Sequence, residues 1–440
     1  MTAGILTIEV GSTITKVIAF AGDEIVGRAD ALTTPDDVFE GVSEALACLR
    51  ATCGIGANDA GEIFASSSAA GGLRMTVHGL TWDLTAEAAK EAALGAGANA
   101  KLITAGVISE RDRRKIETIS PNLIMLAGGV EHGAEETVLE NARILAGMDR
   151  VDCPVVFAGN VALQEDVQEV FRATGRDVYL AENVYPRYDE LNVAPVRAVI
   201  QGVFARNLMI APGMEGLREL SKGSLMPVPA ACLKAAELLA DAGGDCVVVD
   251  VGGATTDVHS VIDSISLDNV DPQIRSRRTV EGDLGVYVSA SSVWRLMGRD
   301  GAPTPLAAIA RTDGEKALSH ELAEKAAEVA LVRHAGRFVH GAFMPNGHIP
   351  VRGRDLRQVG LVVGTGGGLA RLEGGLQHLQ SALVNHRRGC LLPKHDVEIK
   401  IDRDYVMSAC GSFAERHAAL ARKVILRSIG GWAAGERSVT

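Results

Sequence analysis

The chain has 440 residues, 47% of them hydrophobic, and can bury more than one substantial core, which excludes a disordered segment or a mini-protein. Its 44 basic and 55 acidic side chains leave a net charge of −11, which argues against a nucleic-acid partner. Seven scattered cysteines without a CxxC pair suit neither a disulfide framework nor a zinc site and point to a reducing cytoplasm. No apolar run reaches the roughly 18 residues that span a bilayer. The N-terminus starts on the strand-like Gly4-Ile5-Leu6-Thr7-Ile8, so no export signal and no membrane partner are expected.

Short links between the apolar runs 7–10, 14–20 and 24–28 predict an antiparallel meander at the start of the chain, since crossovers need a dozen residues. A helix is expected over 35–50. From about residue 86 to 180, helices at 85–94, 110–118, 135–146 and 164–173 alternate with strands at 101–104, 123–127, 155–158 and 178–180. That succession reads as a separate parallel-sheet unit. The thinnest linkers fall at 182–195 and 222–229. A helix over 229–242 then leads into the strand Cys246-Val247-Val248-Val249-Asp250, a second hairpin follows, and a helix over 315–337 precedes the strand at Leu361-Val362-Val363. No fixed-period repeat supports a solenoid or coiled coil. The basic clusters 111–115, 275–278 and 386–388 read as solvated surface.

Forty-nine glycines against few aromatics (3 Trp, 5 Tyr, 9 Phe) direct attention to turns, and three stand out. In Glu9-Val10-Gly11-Ser12-Thr13-Ile14-Thr15-Lys16 a buried strand delivers an acid into a glycine turn. There backbone N–H groups, the Ser12 and Thr13 hydroxyls and the Lys16 ammonium can meet an anion; taken alone the pattern equals a polar hairpin tip. In Asp250-Val251-Gly252-Gly253-Ala254-Thr255-Thr256-Asp257, two carboxylates flank two glycines and two threonines. An aspartate closing an apolar strand needs a partner or a metal. Mg²⁺ takes one or two protein carboxylates plus substrate phosphates, so Asp250 and Asp257 suit a Mg-nucleotide site. The third, Gly364-Thr365-Gly366-Gly367-Gly368-Leu369, leaves a flat surface for a base and ribose beside free helix N–H groups. Leu369 stands where GxGxxG wants glycine, and no GxxxxGK[ST] occurs, so neither a dinucleotide fingerprint nor a P-loop is present.

In this order the three turns resemble the phosphate-1, phosphate-2 and adenosine motifs of the actin, heat-shock-chaperone and sugar-kinase superfamily of ATPases. The resemblance implies an α/β fold of two ribonuclease-H-like lobes, as in an actin-like ATPase, with an additional parallel α/β domain inserted and Mg-ATP in the cleft. It implies the boundaries 1–80 for the first lobe, 81–215 for the inserted domain, 216–384 for the second lobe and 385–440 for the return to the first. Asp250, Asp257 and Glu9 carry over as catalytic groups, with Glu9 and Asp250 holding Mg²⁺ through water. Gly11, Ser12, Thr13, Lys16, Gly252, Gly253, Thr255, Thr256, Gly364, Thr365, Gly366 and Gly367 carry over to the nucleotide. Glu281, in Thr279-Val280-Glu281-Gly282-Asp283, falls where relatives open a helix near it. Residues 229–242 and 405–411 resemble the two connecting helices, where small residues let helices cross.

Within the superfamily the chain resembles the MutL (GlmL) accessory proteins encoded with adenosylcobalamin-dependent glutamate mutase. The resemblance rests on Ser67-Ser68-Ala69-Ala70-Gly71-Gly72-Leu73-Arg74-Met75, Leu126-Ala127-Gly128-Gly129-Val130-Glu131-His132 and Glu182-Asn183-Val184-Tyr185-Pro186 besides the turns. Glu9 is typical of this branch, whereas the wider superfamily usually has Asp. The resemblance implies an ATP-driven reactivating factor that opens a damaged mutase so that spent cobalamin leaves. The absence of an Asp-x-His-x-x-Gly signature fits a chain that itself contacts cobalamin little. Two other readings stay open: a small-molecule kinase with Asp257 or Asp283 as base, and a nucleotide-controlled filament. Assembly into a homo-oligomer also stays open. In the middle unit, Gly128-Gly129-Val130-Glu131-His132 and Gly159-Asn160 follow strand ends, so this unit is either a partner-facing module or a second ligand pocket. Glu131 and His132 are available for acid–base work.

Overall fold

The computed structural model describes residues 3–34, 36–68, 73–188, 190–207, 212–264, 266, 268–271, 273–339, 348–384 and 389–432. Residues 69–72 and the basic cluster 386–388 lie outside the described residues. The chain forms two compact units, Met1–Ala69 with Ala211–Thr440, and Ala70–Ile210.

In the first unit, β1 (Ala3–Val10), β2 (Ile14–Ala21) and β3 (Glu24–Leu32) form the expected antiparallel meander. Helix α1 (Val38–Cys53) starts on Asp37, whose Oδ1 accepts from the Phe39 amide at 2.9 Å, and stops at Gly54 with a left-handed φ of 69°. β4 (Ala60–Ser67) returns parallel to β1.

The second unit holds β5 (Leu73–Gly79), α2 (Glu87–Gly95), β6 (Ala98–Ala105), α3 (Glu110–Ile119), β7 (Leu123–Leu126), α4 (Glu136–Ala146), β8 (Val155–Phe157), α5 (Gln164–Arg172), β9 (Val178–Leu180) and α6 (Val193–Asn207). All neighbours in its sheet, β6-β5-β7-β8-β9, are parallel. β5 is therefore a central strand of this unit, which begins ahead of residue 81. Leu123 and Met125 enter the core under α2 and α6, while Ile124 and Leu126 enter the one under α4 and α5. That two-sided burial makes the run continuously apolar. The linker expected at 182–195 is instead structural: Val184 and Tyr185 are buried, and α6 begins at Val193.

His78 on β5 is fully buried, its ring nitrogens 2.8 Å from Thr104 Oγ1 and 3.0 Å from Thr76 Oγ1. Burial pushes its pKa down from 6.5 to about 4. The folded chain thus keeps His78 neutral where the unfolded chain protonates it. Its stability contribution is complete above pH 6.5 and is lost as the pH falls towards 4. His78→Gln is expected to flatten this acid limb by up to ~1.4 kcal/mol per pH unit, read from urea midpoints of variant and parent across that range.

The chain re-enters the first unit through α7 (Met214–Leu220) and β10 (Leu225–Pro227), which pairs parallel with β4. The linker expected at 222–229 therefore contains a strand, too short to show a period. Then follow α8 (Val228–Gly243), β11 (Cys246–Val251), β12 (Thr256–Val261), β13 (Ser276–Glu281), α9 (Ala290–Leu296), α10 (Asp313–His334), the ribbon β14 (Arg337–Phe338) and β15 (Val351–Arg352), β16 (Leu361–Thr365), α11 (Gly375–Val384), β17 (Glu398–Ile401) and α12 (Met407–Ser428). α10 ends three residues before the expected 337, and Arg337 opens the ribbon.

The two five-stranded sheets of this unit, β3-β2-β1-β4-β10 and β13-β12-β11-β16-β17, share one topology: an antiparallel meander whose first strand pairs parallel with a later one. These are the two ribonuclease-H-like lobes of an actin-like ATPase fold. α8 and α12 lie in the core shared by both sheets, with Phe20 and Phe64 on one side and Val248 and Val363 on the other. Gly411 on α12 meets Ala231 on α8 so closely that a Cβ would stand 1.8 Å from the Ala231 carbonyl oxygen. Gly411→Ala is expected to cost roughly 3 kcal/mol, since a rigid backbone atom cannot yield; a urea titration checks it. α12 breaks at His417 (φ −132°, ψ 49°). Both of its ends return to the buried Asp402, which accepts from the Met407 amide and from Ser428 Oγ. Among the described residues no helix is long and apolar enough to cross a membrane.

Candidate functional site

The two meanders place equivalent hairpin tips face to face. In the first, the Gly11 amide donates to the Ile14 carbonyl at 3.0 Å, and a Cβ on Gly11 would stand 2.7 Å from that oxygen. In the second, the Gly252 amide donates to the Thr255 carbonyl at 2.9 Å. The tips touch: a Cβ on Gly253 would lie 2.4 Å from Thr13 Oγ1. Between them opens a cavity of about 470 Å³, a small-molecule size, whose lining includes Glu9, Ser12, Thr13, Asp250, Gly253 and Gly367.

Strand register fixes the charges. Glu9 pairs with Lys16 across β1 and β2, and Asp250 with Asp257 at the equivalent step of β11 and β12. In the first lobe the pair is self-neutralising: Lys16 Nζ is 2.9 Å from Glu9 Oε2, donates to the Tyr405 carbonyl at 2.9 Å and sits 3.3 Å over the Tyr405 ring. Ser408 Oγ also donates to Glu9 Oε2. Lys16 thus lines the cavity while its ammonium is held by Glu9 and Tyr405.

In the second lobe two like charges face each other. The buried Arg278 offsets one of them, with Nη2 2.6 Å and Nε 2.8 Å from Asp257 Oδ1; Thr255 Oγ1 donates to Asp257 Oδ2 at 3.2 Å. The cluster 275–278 was expected to be solvated throughout. Strand alternation overturns this at Arg278, which turns inward from β13 while Arg277 stays half-buried. Among the described residues no cation forms an ion pair with Asp250. Burial first, then the charges of Asp257 and Glu9, push its pKa up from 3.8 to about 7, against the opposing influence of the Cys232 thiol and Lys16. Cys232 Sγ lies 3.5 Å from Asp250 Oδ2. Gly366, at a left-handed φ of 84°, presses against the same carboxylate, where a Cβ would stand 2.4 Å from Oδ1.

Five of the residues marked in the sequence do not line this cavity, Gly366 among them because it packs behind the Asp250 carboxylate. Thr256 Oγ1 donates to the Leu284 carbonyl at 2.6 Å and Thr365 Oγ1 to Asp402 Oδ2 at 2.9 Å. Gly364 makes room for Ile401, Leu379 and Leu369. The Glu281 carboxylate receives Arg333 Nη1 at 2.6 Å. Gly11, Gly252 and Thr255 do line it, and Gly367 leaves open space where a side chain would stand.

Other lining groups carry no sequence motif. Arg371 pairs with Asp30 across the cavity rim, and the small-residue strip 307–310 with Ser319 forms a wall. Asp30 faces Lys16 across β2 and β3, so only the strand register could have pointed to it. Thr13 Oγ1 is buried with no hydrogen-bond partner among the described residues and can still donate to a ligand oxygen.

Residues 5–429 match the family model described as MutL protein. The chain belongs to the MutL protein family. Protein MutL of Clostridium tetanomorphum is 34% identical over 444 residues, 93% of this chain and 96% of that relative. Among solved structures, this MutL-family chain is similar to nucleotide-free acetone carboxylase, with 13% identity and a TM-score of 0.43 over 94% of this chain and 70% of that one. It is also similar to a nucleotide-free diol dehydratase-reactivating factor, with 13% identity and a TM-score of 0.36 over 95% and 100%.

Proposed function

We propose that the cavity binds Mg-ATP and hydrolyses it slowly. We further propose that the chain is an accessory protein that reactivates an adenosylcobalamin-dependent mutase of the glutamate mutase type by exchanging damaged cobalamin. The observation that carries the first part is the meeting of the two glycine tips, Gly11–Thr13 and Gly252–Thr255, over one cavity bearing Glu9 and Asp250. The second part rests on family membership and the resemblance of the motifs.

The donor set fits the group. Hard carboxylate oxygens on Asp250 and Glu9 suit a hydrated Mg²⁺, which would neutralise phosphate charge when bound. The tips offer the Ser12 hydroxyl and the Thr13 hydroxyl to phosphate oxygens. Arg278 keeps Asp257 fixed beneath the second tip, and Lys16 does the same for Glu9. Asp250, ionised when the metal is bound, would orient the hydrated ion and its water in the cavity. Because α8 and α12 share one core between the lobes, tightening the tips on a ligand acts on the helix crossing at Gly411.

The kinase alternative needs a free base facing an acceptor hydroxyl. Asp257 is engaged on both oxygens, by Arg278 and Thr255, and Asp283 is held by Arg333 at 2.8 Å. These engagements favour the accessory reading. Its test is direct: a mutase inactivated with hydroxocobalamin is given this protein, ATP, Mg²⁺ and fresh adenosylcobalamin. Recovery of mutase turnover only with hydrolysable ATP is expected; none would overturn the proposal.

A further inference from the structure

All four large hydrophobic side chains that the second unit exposes among its described residues follow the carboxyl ends of its strands. Trp82 (59% exposed) follows β5, Val107 (47%) follows β6, Val161 (47%) follows β8 and Tyr188 (76%) follows β9. Because the five strands are parallel, those ends lie along one edge of the sheet. This is the edge on which open α/β sheets place their ligands, and the order β6-β5-β7-β8-β9 reverses between β5 and β7. A π-helical turn, Trp82–Ala86, sits at that reversal, pressed so closely on the strand that a Cβ on Gly79 would stand 2.5 Å from the Ala86 amide nitrogen.

The loops of this edge brace one another. The Glu131 amide donates to the Pro186 carbonyl at 2.9 Å, the Val161 amide to Glu131 Oε2 at 3.0 Å, Asn183 Nδ2 to the Gly129 carbonyl at 3.1 Å, and the His132 amide to Asn160 Oδ1 at 3.2 Å. Glu131 is thus a strut, and the apolar side chains stand on a preformed platform.

Charge decides what the platform accepts. Helices that follow parallel strands start at this edge, and their N–H ends would ordinarily attract a phosphate. Here four of the five first turns already carry acid, α6 being the exception: Glu87 on α2, Glu110 and Asp112 on α3, Glu136 on α4, and Glu165 and Asp166 on α5. These carboxylates complement the dipoles of their helix ends and repel an anion. An apolar centre with an acidic border matches an apolar protein patch bordered by basic side chains.

We infer that the carboxyl edge of the second unit, with Trp82 and Tyr188 as its aromatic anchors, docks a folded protein partner through an apolar patch with a basic rim. Resting on the reactivation reading, that partner is the mutase.

The test titrates a purified adenosylcobalamin-dependent mutase against the full chain and its Trp82→Ala/Tyr188→Ala variant by biolayer interferometry. Basal ATP hydrolysis and light scattering are followed in parallel. The variant is expected to bind at least ~10-fold more weakly, as loss of aromatic anchors does. Its basal hydrolysis and mass should be unchanged, with binding regained in Trp82→Phe/Tyr188→Phe. Equal binding by parent and variant would overturn the docking edge and leave the reactivation reading standing. No binding by the parent in either nucleotide state would remove both. A parent dimer that the variant splits, with mutase affinity unchanged, would make a second copy the occupant and overturn the inference.

Discussion

Asp250→Ala is expected to lower Mg-dependent ATP hydrolysis by roughly 100-fold or more, the scale on which preorganised charge matters in a water-poor site. The expectation rests on place as well as charge: Asp250 closes an apolar strand, faces Asp257 in register and has Gly366 packed on its carboxylate. Loss of fold is not the cause, because this carboxylate is held at a disadvantage. With its pKa raised from 3.8 to about 7, the empty folded protein keeps a proton there that the unfolded chain releases. Stability from this site is therefore present below pH 3.8 and declines as the pH rises to about 7, by up to ~1.4 kcal/mol per unit. Asp250→Asn removes that decline. At neutral pH both variants should melt no lower than the parent while failing to turn over ATP. Unchanged turnover would dispose of the phosphate-2 assignment.

Arg278→Met should give the largest loss of stability, about 3–5 kcal/mol, because it strips the cationic partner from the buried Asp257. Denaturant unfolding measures the loss. The double variant Arg278→Met/Asp257→Asn is expected to regain a good part of it, since the damage comes from the orphaned charge. If the single variant loses less than ~1 kcal/mol, the pair is a surface contact in energetic terms.

The strands, the meanders and the glycine tips were legible because each announces itself locally: Gly11 and Gly252 stand where a tight return after an apolar strand demands them. What was not legible depends on facing. Thr255 and Thr256 are adjacent and alike, yet strand alternation sends one hydroxyl to the cavity and the other to the Leu284 carbonyl. Gly364 and Gly366 lie two apart; the first serves packing under α11 and the second the Asp250 carboxylate. Arg278 read as solvated because a charge run carries no sign of which member turns inward. β10 escaped notice because three residues ending in proline show no period; its place in the sheet is set by β4, 160 positions earlier at the Leu225–Ala65 pair. Arg371 and Asp30 form a rim that only tertiary structure brings together.

The bond from Ser408 to Glu9 spans 399 positions. During synthesis the first hairpin emerges early, and its acid must wait for almost the whole chain before that hydroxyl arrives. The second unit, contiguous from end to end, can complete its own sheet meanwhile. A ribosome-bound chain should therefore acquire a folded middle long before it acquires a finished cleft. Truncation anywhere upstream of α12 leaves the N-terminal sheet without the helix that covers it, exposing Phe20 and Phe64 to chaperones and proteases.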